Sequence, residues 1–261
     1  MKHQHPIPAS KAEPPPPRGA GQAHLTNMTL ARQAMVDCTS VGENMPRLGL
    51  FYGPSGYGKS VGAAFVAARF DAGYVEAKSI WTQRSLLSEL ARSIGITRIE
   101  RTGPRILDQL IEQLRAHPRP LIIDEMDYLV KKQMVDIIRD IHDATSVAIL
   151  MIGEEALPAK LREWERFDNR ILVRAPAQPA SEDDALKLRD AYRGEVAIAD
   201  DLAIEFCRAC GGVTRRIVIN LEIAQNLALD AGEAAIDRAW WGNRRVETGA
   251  LPVRRVAERG A

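Results

Sequence analysis

Lys59 and Ser60 close the octapeptide GPSGYGKS, residues 53–60, which places glycines, a lysine and a hydroxyl at the spacing G-x-x-x-x-G-K-[ST]. That spacing suits a chain of phosphates. Gly53, Gly56 and Gly58 let backbone N–H groups approach phosphate oxygens closely, with Pro54, Ser55 and Tyr57 completing the loop between them. Lys59 can reach the β- and γ-phosphates of ATP, and the Ser60 hydroxyl can bind Mg²⁺. The octapeptide follows the strand-like LGLFY and precedes the helical VGAAFVAARF, so its flanks supply the strand–loop–helix context that phosphate binding needs. A glycine-rich turn unconnected with phosphate is the competing account, and both flanks argue against it.

A pair of acids stands further along, in PLIIDEMDYL, where Asp124 and Glu125 fall at the carboxyl end of an apolar strand. Ligands of open α/β sheets bind at that edge. Asp124 is suited to hold Mg²⁺ through its water shell, and Glu125, pointing differently, to polarise the water that attacks the γ-phosphate. A base in that role contributes a factor of about 10² to 10⁴ in rate. The competing account is a surface acidic cluster at a strand end. It weakens once the phosphate loop is accepted, because carboxylates must stand near the Mg²⁺.

These residues need a scaffold with a strand under each of them, and short apolar runs supply one at 48–52, 74–77, 121–124, 147–152 and 170–173. Between the runs the apolar spacing turns helical: Ile106, Leu107, Leu110, Ile111 and Leu114 share a face, as do Met134, Val135, Ile138 and Ile141. Strands alternating with helices imply an α/β fold with a parallel sheet, and LIID and VAILMI lack polar alternation because helices cover both faces of such sheets. A further helix is expected from 26 to about 40. Past Pro179 helices dominate, at roughly 182–192, 200–210, 215–229 and 233–240, with Ser181 and Asp184 as a capping box and Gly211-Gly212 as a stop. The expected organisation is a disordered proline-rich tail at 1–25, a nucleotide-binding α/β domain at 26–177, a helical domain at 178–242 and a basic tail at 243–261.

Composition removes other classes. Thirty-five Lys and Arg against 34 Asp and Glu leave a formal charge of +1, so any surface for nucleic acid must be local. Apolar stretches reach only about six residues, short of the roughly 18–20 that span a bilayer, and no membrane association is expected. With no secretory h-region at the start and only three cysteines, a cytoplasmic protein is expected. Cys207 and Cys210 form a lone C-x-x-C without a second ligand pair, better read as two small buried helix residues than as zinc ligands. His117 and His142 are isolated, and Trp240 and Trp241 suit packing at the end of the helical domain, a protein-contact surface being the alternative.

Phosphate loop, DE strand, fourth strand and helical lid, in that order over about residues 26–240, resemble the AAA+ ATPases. The resemblance implies a P-loop AAA+ parallel-sheet domain with a small all-helical C-terminal lid, hydrolysis stimulated by oligomerisation, and further catalytic residues. Arg170, just before the fifth strand in ERFDNRILV, would be the arginine finger given to a neighbouring subunit, with Arg166 as the fallback and a surface ion pair as the competing account. Arg215 in GGVTRRIVI would be the lid arginine that meets the γ-phosphate, while Arg216 faces solvent. The family's polar sensor after the fourth strand departs from the usual Asn, Thr or Ser, because Glu154 stands there after Gly153 and an anion is repelled by phosphate.

Read together, FYGPSGYGKS, KSIWTQRSLLSELARSIG, LIIDEMDYL, ILMIGEEALPAKL with RFDNRI, and GGVTRRIV resemble the small ATPases of DNA transposition, the B protein of Mu-like transposable phages and related transposon ATPases. That resemblance implies sequence-nonspecific capture of duplex DNA, a homo-oligomer or helical filament with ATP, activation of a transposase, and the host cytoplasm as location if phage-encoded. The same segments also resemble a secretion-type ATPase, and a helicase-loader-like ATPase is a further alternative. Because no separate DNA-binding domain is recognisable before the core, DNA contacts would come from Arg98, Arg101, Arg105, Lys131 and Lys132, for which ordinary solvated charge is the competing account.

Overall fold

The computed structural model describes residues 25–42, 45–192 and 194–249. The proline-rich residues 1–24 and residues 250–261 of the basic C-terminal segment lie outside the described residues. Helix α1 (Thr26–Thr39) leads to strand β1 (Leu48–Tyr52) and helix α2 (Lys59–Phe70). Strand β2 (Gly73–Glu76) continues through α3 (Gln83–Ser93) and α4 (Gly103–Ala116) into β3 (Leu121–Asp124). Then come α5 (Met126–Lys131), α6 (Val135–Thr145), β4 (Ile149–Gly153), α7 (Leu157–Leu161), α8 (Glu165–Asp168) and β5 (Ile171–Pro176).

The five strands are all parallel, in the order β2-β3-β4-β1-β5. Parallel neighbours require crossovers, and the intervening helices supply them on both faces. One face packs α3, α4 and α6 through Leu86, Leu90, Ile106, Leu110, Ile138 and Ile141. The other packs α1 and α2 through Ala31, Met35, Cys38, Ala63 and Val66. Every residue of β3 and β4 is buried as a result, the physical reason for their unbroken apolar runs. Tyr52 pairs with Gly153 and Ile123 with Met151, so the segments that follow β1, β3 and β4 leave the sheet side by side.

The C-terminal helical region holds α9 (Glu182–Ala191), α10 (Asp200–Ala209) and α11 (Thr214–Asp230) around a second apolar cluster that includes Leu202, Phe206, Ile217 and Trp241. The Ser181 hydroxyl accepts the Asp184 N–H at 3.0 Å, and Asp184 Oδ2 accepts the Ser181 N–H at 3.1 Å, a reciprocal capping box. Beyond α11 the expected helix at 233–240 is replaced. Ala235–Ile236 (β7) pairs in parallel with Ala197–Ile198 (β6), and only the four residues Arg238–Trp241 (α12) are helical. The pairing consumes the backbone groups a longer helix would need, and the Asp237 side chain accepts the Trp240 N–H at 2.7 Å, starting α12 there. The Trp241 ring packs edge-on to Phe206 at 5.0 Å between centroids, while Arg244 lies over Trp240 at 4.3 Å.

Candidate nucleotide-binding site

Strand β1 delivers the chain into residues 53–58, and α2 starts at Lys59. Gly56 has φ 85°, a conformation that costs other residues strain, and a Cβ there would stand 2.9 Å from Val213 Cγ1. The loop is therefore both turned and overlaid by the helical region at one glycine. The Lys59 ammonium folds back to donate to the carbonyls of Gly53 and Pro54, each at 2.8 Å. Burial pushes its pKa down, while Asp124, Glu125, Glu154 and Asp127 oppose the shift in that order. Lys59 thus stands in the field of four carboxylates. Ser60, one residue on, is exposed in the first turn of α2.

Asp124 is 2% exposed, and its two oxygens are separately engaged. Tyr74, from the neighbouring strand β2, donates its hydroxyl to Oδ2 at 3.1 Å, and the Glu125 N–H donates to Oδ1 at 2.8 Å. Burial and then Asp124 raise the Tyr74 pKa, so the phenol remains a donor throughout the ordinary pH range. Glu125 holds a left-handed conformation at φ 56° and ψ 40°, immediately before α5. Backbone strain of this kind costs about 1–3 kcal/mol and survives only where surrounding contacts impose it. Desolvation first, then Asp124 and Asp127, raise the Glu125 pKa, making its carboxylate a stronger base than an exposed one.

The end of β4 differs from a simple polar sensor. The Glu154 side chain is exposed, but its backbone N–H donates to Asp127 Oδ2 at 2.7 Å. Lys160, from α7, donates to Asp127 Oδ1 at 2.7 Å and lies 4.0 Å from Glu154. Arg215 reaches the loop through its backbone, its N–H donating to the Gly56 carbonyl at 3.0 Å, while its side chain is exposed. Arg216 lies 3.6 Å from Glu247 rather than standing alone in solvent.

Asn27 escaped the sequence reading. It is 5% exposed in the first turn of α1, and its amide donates to the carbonyls of Tyr57 at 2.8 Å and Gln178 at 2.7 Å. Its own carbonyl accepts the Gln178 N–H at 2.8 Å. One side chain therefore binds the phosphate loop to the segment joining β5 with the helical region. Asn27 is one of several polar residues in TNMTLARQAMVDCT, so this clamp leaves no distinctive trace in the sequence. Beside it, the Thr26 N–H donates to Asp184 Oδ1 at 2.9 Å.

Arg170 is held by Asp143 through two parallel bonds of 2.7 Å, and its remaining arm bonds the Arg166 carbonyl. Burial pushes Asp143 upward, but bonds from Arg170 and His142 keep its carboxyl below the usual range. His142 is buried, not idle: its Nε2 accepts the Arg47 N–H at 3.1 Å. Arg166 is exposed on α8. Arg98, Arg101, Arg105, Lys131 and Lys132 are all exposed, with Arg105 4.0 Å from Glu100. Cys207 and Cys210 are buried, and among the described residues no group of three or more His, Cys, Asp or Glu could hold a metal. Asp124 and Ser60 are the residues that could hold Mg²⁺, one carboxylate and one hydroxyl, were phosphate oxygens and water to complete its shell.

Residues 44–161, which contain both motifs, match the family model described as AAA domain. The fold is the P-loop AAA+ α/β fold. Among solved structures, the chain is similar to the Aeropyrum pernix ORC2 protein in its ADPNP–ADP complexes, with TM-score 0.64 and 17% identity over 82% of this chain and 65% of that one. It is similar also to the Aeropyrum pernix ORC1 protein in complex with DNA, with TM-score 0.58 and 19% identity over 82% of this chain and 62% of that one. Cdc6p from Pyrobaculum aerophilum gives TM-score 0.59 and 16% identity over 85% and 66% of the two chains. The chain spans slightly less than two thirds of the length of these proteins, and at such identities the likeness is one of fold. No curated protein matches it in sequence. No described helix is long and apolar enough to cross a membrane.

Proposed function

We propose that this chain binds and hydrolyses ATP, captures duplex DNA without reading its sequence, and activates a transposase in DNA transposition. The observation that carries the ATP part is the Lys59 ammonium in the field of Asp124 and Glu125, beside a glycine loop overlaid by the start of α11. Lys59 exchanges the Gly53 and Pro54 carbonyls for β- and γ-phosphate oxygens. Ser60 and Asp124 would hold Mg²⁺, which would neutralise phosphate charge. Glu125 takes the proton of the attacking water, its raised pKa strengthening it as a base. The exposed Arg215 side chain supplies positive charge from the lid side. Arg170 can serve a neighbouring subunit only by exchanging Asp143 for phosphate, whereas Arg166 on the same segment is exposed.

The DNA part is supported by the resemblance of five separate segments to transposition ATPases and by the exposed Arg98, Arg101, Arg105, Lys131 and Lys132. The ORC1 protein in complex with DNA, a chain of similar fold, lends it further support. Fold likeness to ORC and Cdc6 proteins favours a second reading, a replication-type helicase loader. ATP-dependent filaments on DNA support the transposition reading, and rings formed without DNA support the loader or a protein-directed machine.

The deciding experiment measures binding to random-sequence duplex DNA with ATP, with ADP and without nucleotide, using Lys59→Ala as control. Tight, salt-sensitive binding with ATP alone supports the proposal, and each phosphate contact removed by mutating a candidate cation lowers the log–log salt slope by about 0.9. ATP turnover without DNA binding would redirect the reading to a protein-directed machine of secretion type.

A further inference from the structure

Two residues outside the phosphate loop and the DE strand are built into the site, and the reaction above gives them no part. Asp127 lies in the first turn of α5, two residues after Glu125, with its side chain only 12% exposed. Each of its oxygens has a distinct partner. Oδ2 accepts the Glu154 N–H at 2.7 Å, at the point where the chain leaves β4, and Oδ1 accepts the Lys160 ammonium at 2.7 Å, from α7. One carboxylate thus ties three segments, the start of α5, the end of β4 and the α7 helix.

The fit is close. A Cβ on Gly153 would stand 2.5 Å from Asp127 Oδ2 and 2.3 Å from Leu157 Cδ2, so this position admits no side chain while Asp127 stays where it is. What the tie holds is also plain. Glu125 occupies a left-handed backbone conformation directly before α5, a geometry that needs outside contacts to persist. Its own N–H is bonded to Asp124, its carbonyl accepts the Tyr128 N–H at 3.0 Å and Met126 after it is buried, and Asp127 adds the tie to β4 and α7. Charge follows the same logic. Asp127 and Glu154 both act electrostatically on Lys59 and Glu125, and Lys160, bonded to Asp127 and 4.0 Å from Glu154, offsets the charge of one of them beside incoming phosphate.

We infer that Asp127 and Lys160 form a charge-neutral strut between α5 and the β4–α7 segment that positions Glu125 for water activation. The inference rests on the ATPase reading and on Glu125 as its base. Lys160 is a positioning residue, half-exposed, and its substitution leaves the core untouched.

The test measures ATP turnover and ATP and ADP affinity in Lys160→Met, Lys160→Arg, Glu125→Gln and the double variant Lys160→Met with Glu125→Gln. The strut requires kcat to fall about tenfold or more in Lys160→Met, with both affinities within about twofold, because only a transition-state arrangement is lost. Lys160→Arg should recover most of the rate, since it restores the ion pair. In the Glu125→Gln background, single-turnover rates should be nearly insensitive to Lys160→Met, because the base being positioned is gone. Turnover in Lys160→Met within about twofold of wild type overturns the strut, as does an equal proportional loss with and without Glu125. A selective loss of ATP over ADP affinity overturns it too, since Lys160 would then be a phosphate contact. Undiminished turnover in Glu125→Gln alone removes the base itself and the strut with it, a failure distinct from the others.

Discussion

Replacing Asn27 by alanine tests whether the phosphate loop is held from outside its own motif. The side chain makes three hydrogen bonds of 2.7–2.8 Å at 5% exposure, two donated and one accepted. Net worth is about 0.5–1.5 kcal/mol per bond, and orphaned buried partners push the cost toward the upper end, so Asn27→Ala should destabilise by about 2–4 kcal/mol. For a chain of this size that corresponds to a fall of roughly 4–16 °C in Tm. Asn27→Asp separates bonding from packing. Its carboxylate can still accept the Gln178 N–H but faces the Tyr57 and Gln178 carbonyls, so the charged variant should be at least as unstable as alanine. The carboxyl introduced there would have a raised pKa in the folded state, and the deficit should shrink as pH falls and the group protonates. Urea unfolding of both variants, with nucleotide affinity measured in parallel, gives the comparison. Asn27→Ala within about 0.5 kcal/mol of wild type, or Asn27→Asp more stable than alanine at neutral pH, would refute the clamp.

Lys59→Ala should lose ATP affinity and every ATP-dependent property, measured by nucleotide titration. Glu125→Gln should retain ATP binding but turn over about 10² to 10⁴ times more slowly and trap the assembled state, measured by steady-state hydrolysis and light scattering. Asp184 yields a pH prediction with a definite sign. Although burial pushes its carboxyl upward, hydrogen bonds from Ser181 and Thr26 hold the pKa below the ordinary value, so its contribution is full above the unfolded pKa and disappears as pH falls through the folded one. Stability of wild type relative to Asp184→Asn, followed by urea unfolding, should therefore converge toward acid pH and be pH-independent near neutrality.

The strand, loop and helix that carry the contiguous motifs were legible in the sequence. GPSGYGKS and LIIDE announce a phosphate loop and an acidic strand end because glycines, lysine and carboxylates act through local backbone, and the apolar runs around them follow from burial on both sheet faces. The Ser181–Asp184 box was equally local. Periodicity misled at 233–240, where a two-residue strand is too short to leave a pattern and its pairing partner lies almost forty residues earlier. Tertiary structure alone decided which distant residues meet. Asn27 finds Gln178 across 151 positions, Asp143 finds Arg170 across 27, and Asp127 finds Lys160 across 33. None of these pairs shares a helix turn or strand register, so no spacing rule marks them. They exist because the parallel sheet gathers the chain at two edges: Asn27–Gln178 and Asp127–Lys160 lie past the carboxyl ends of the strands, whereas Asp143–Arg170 lies before the amino ends of β4 and β5.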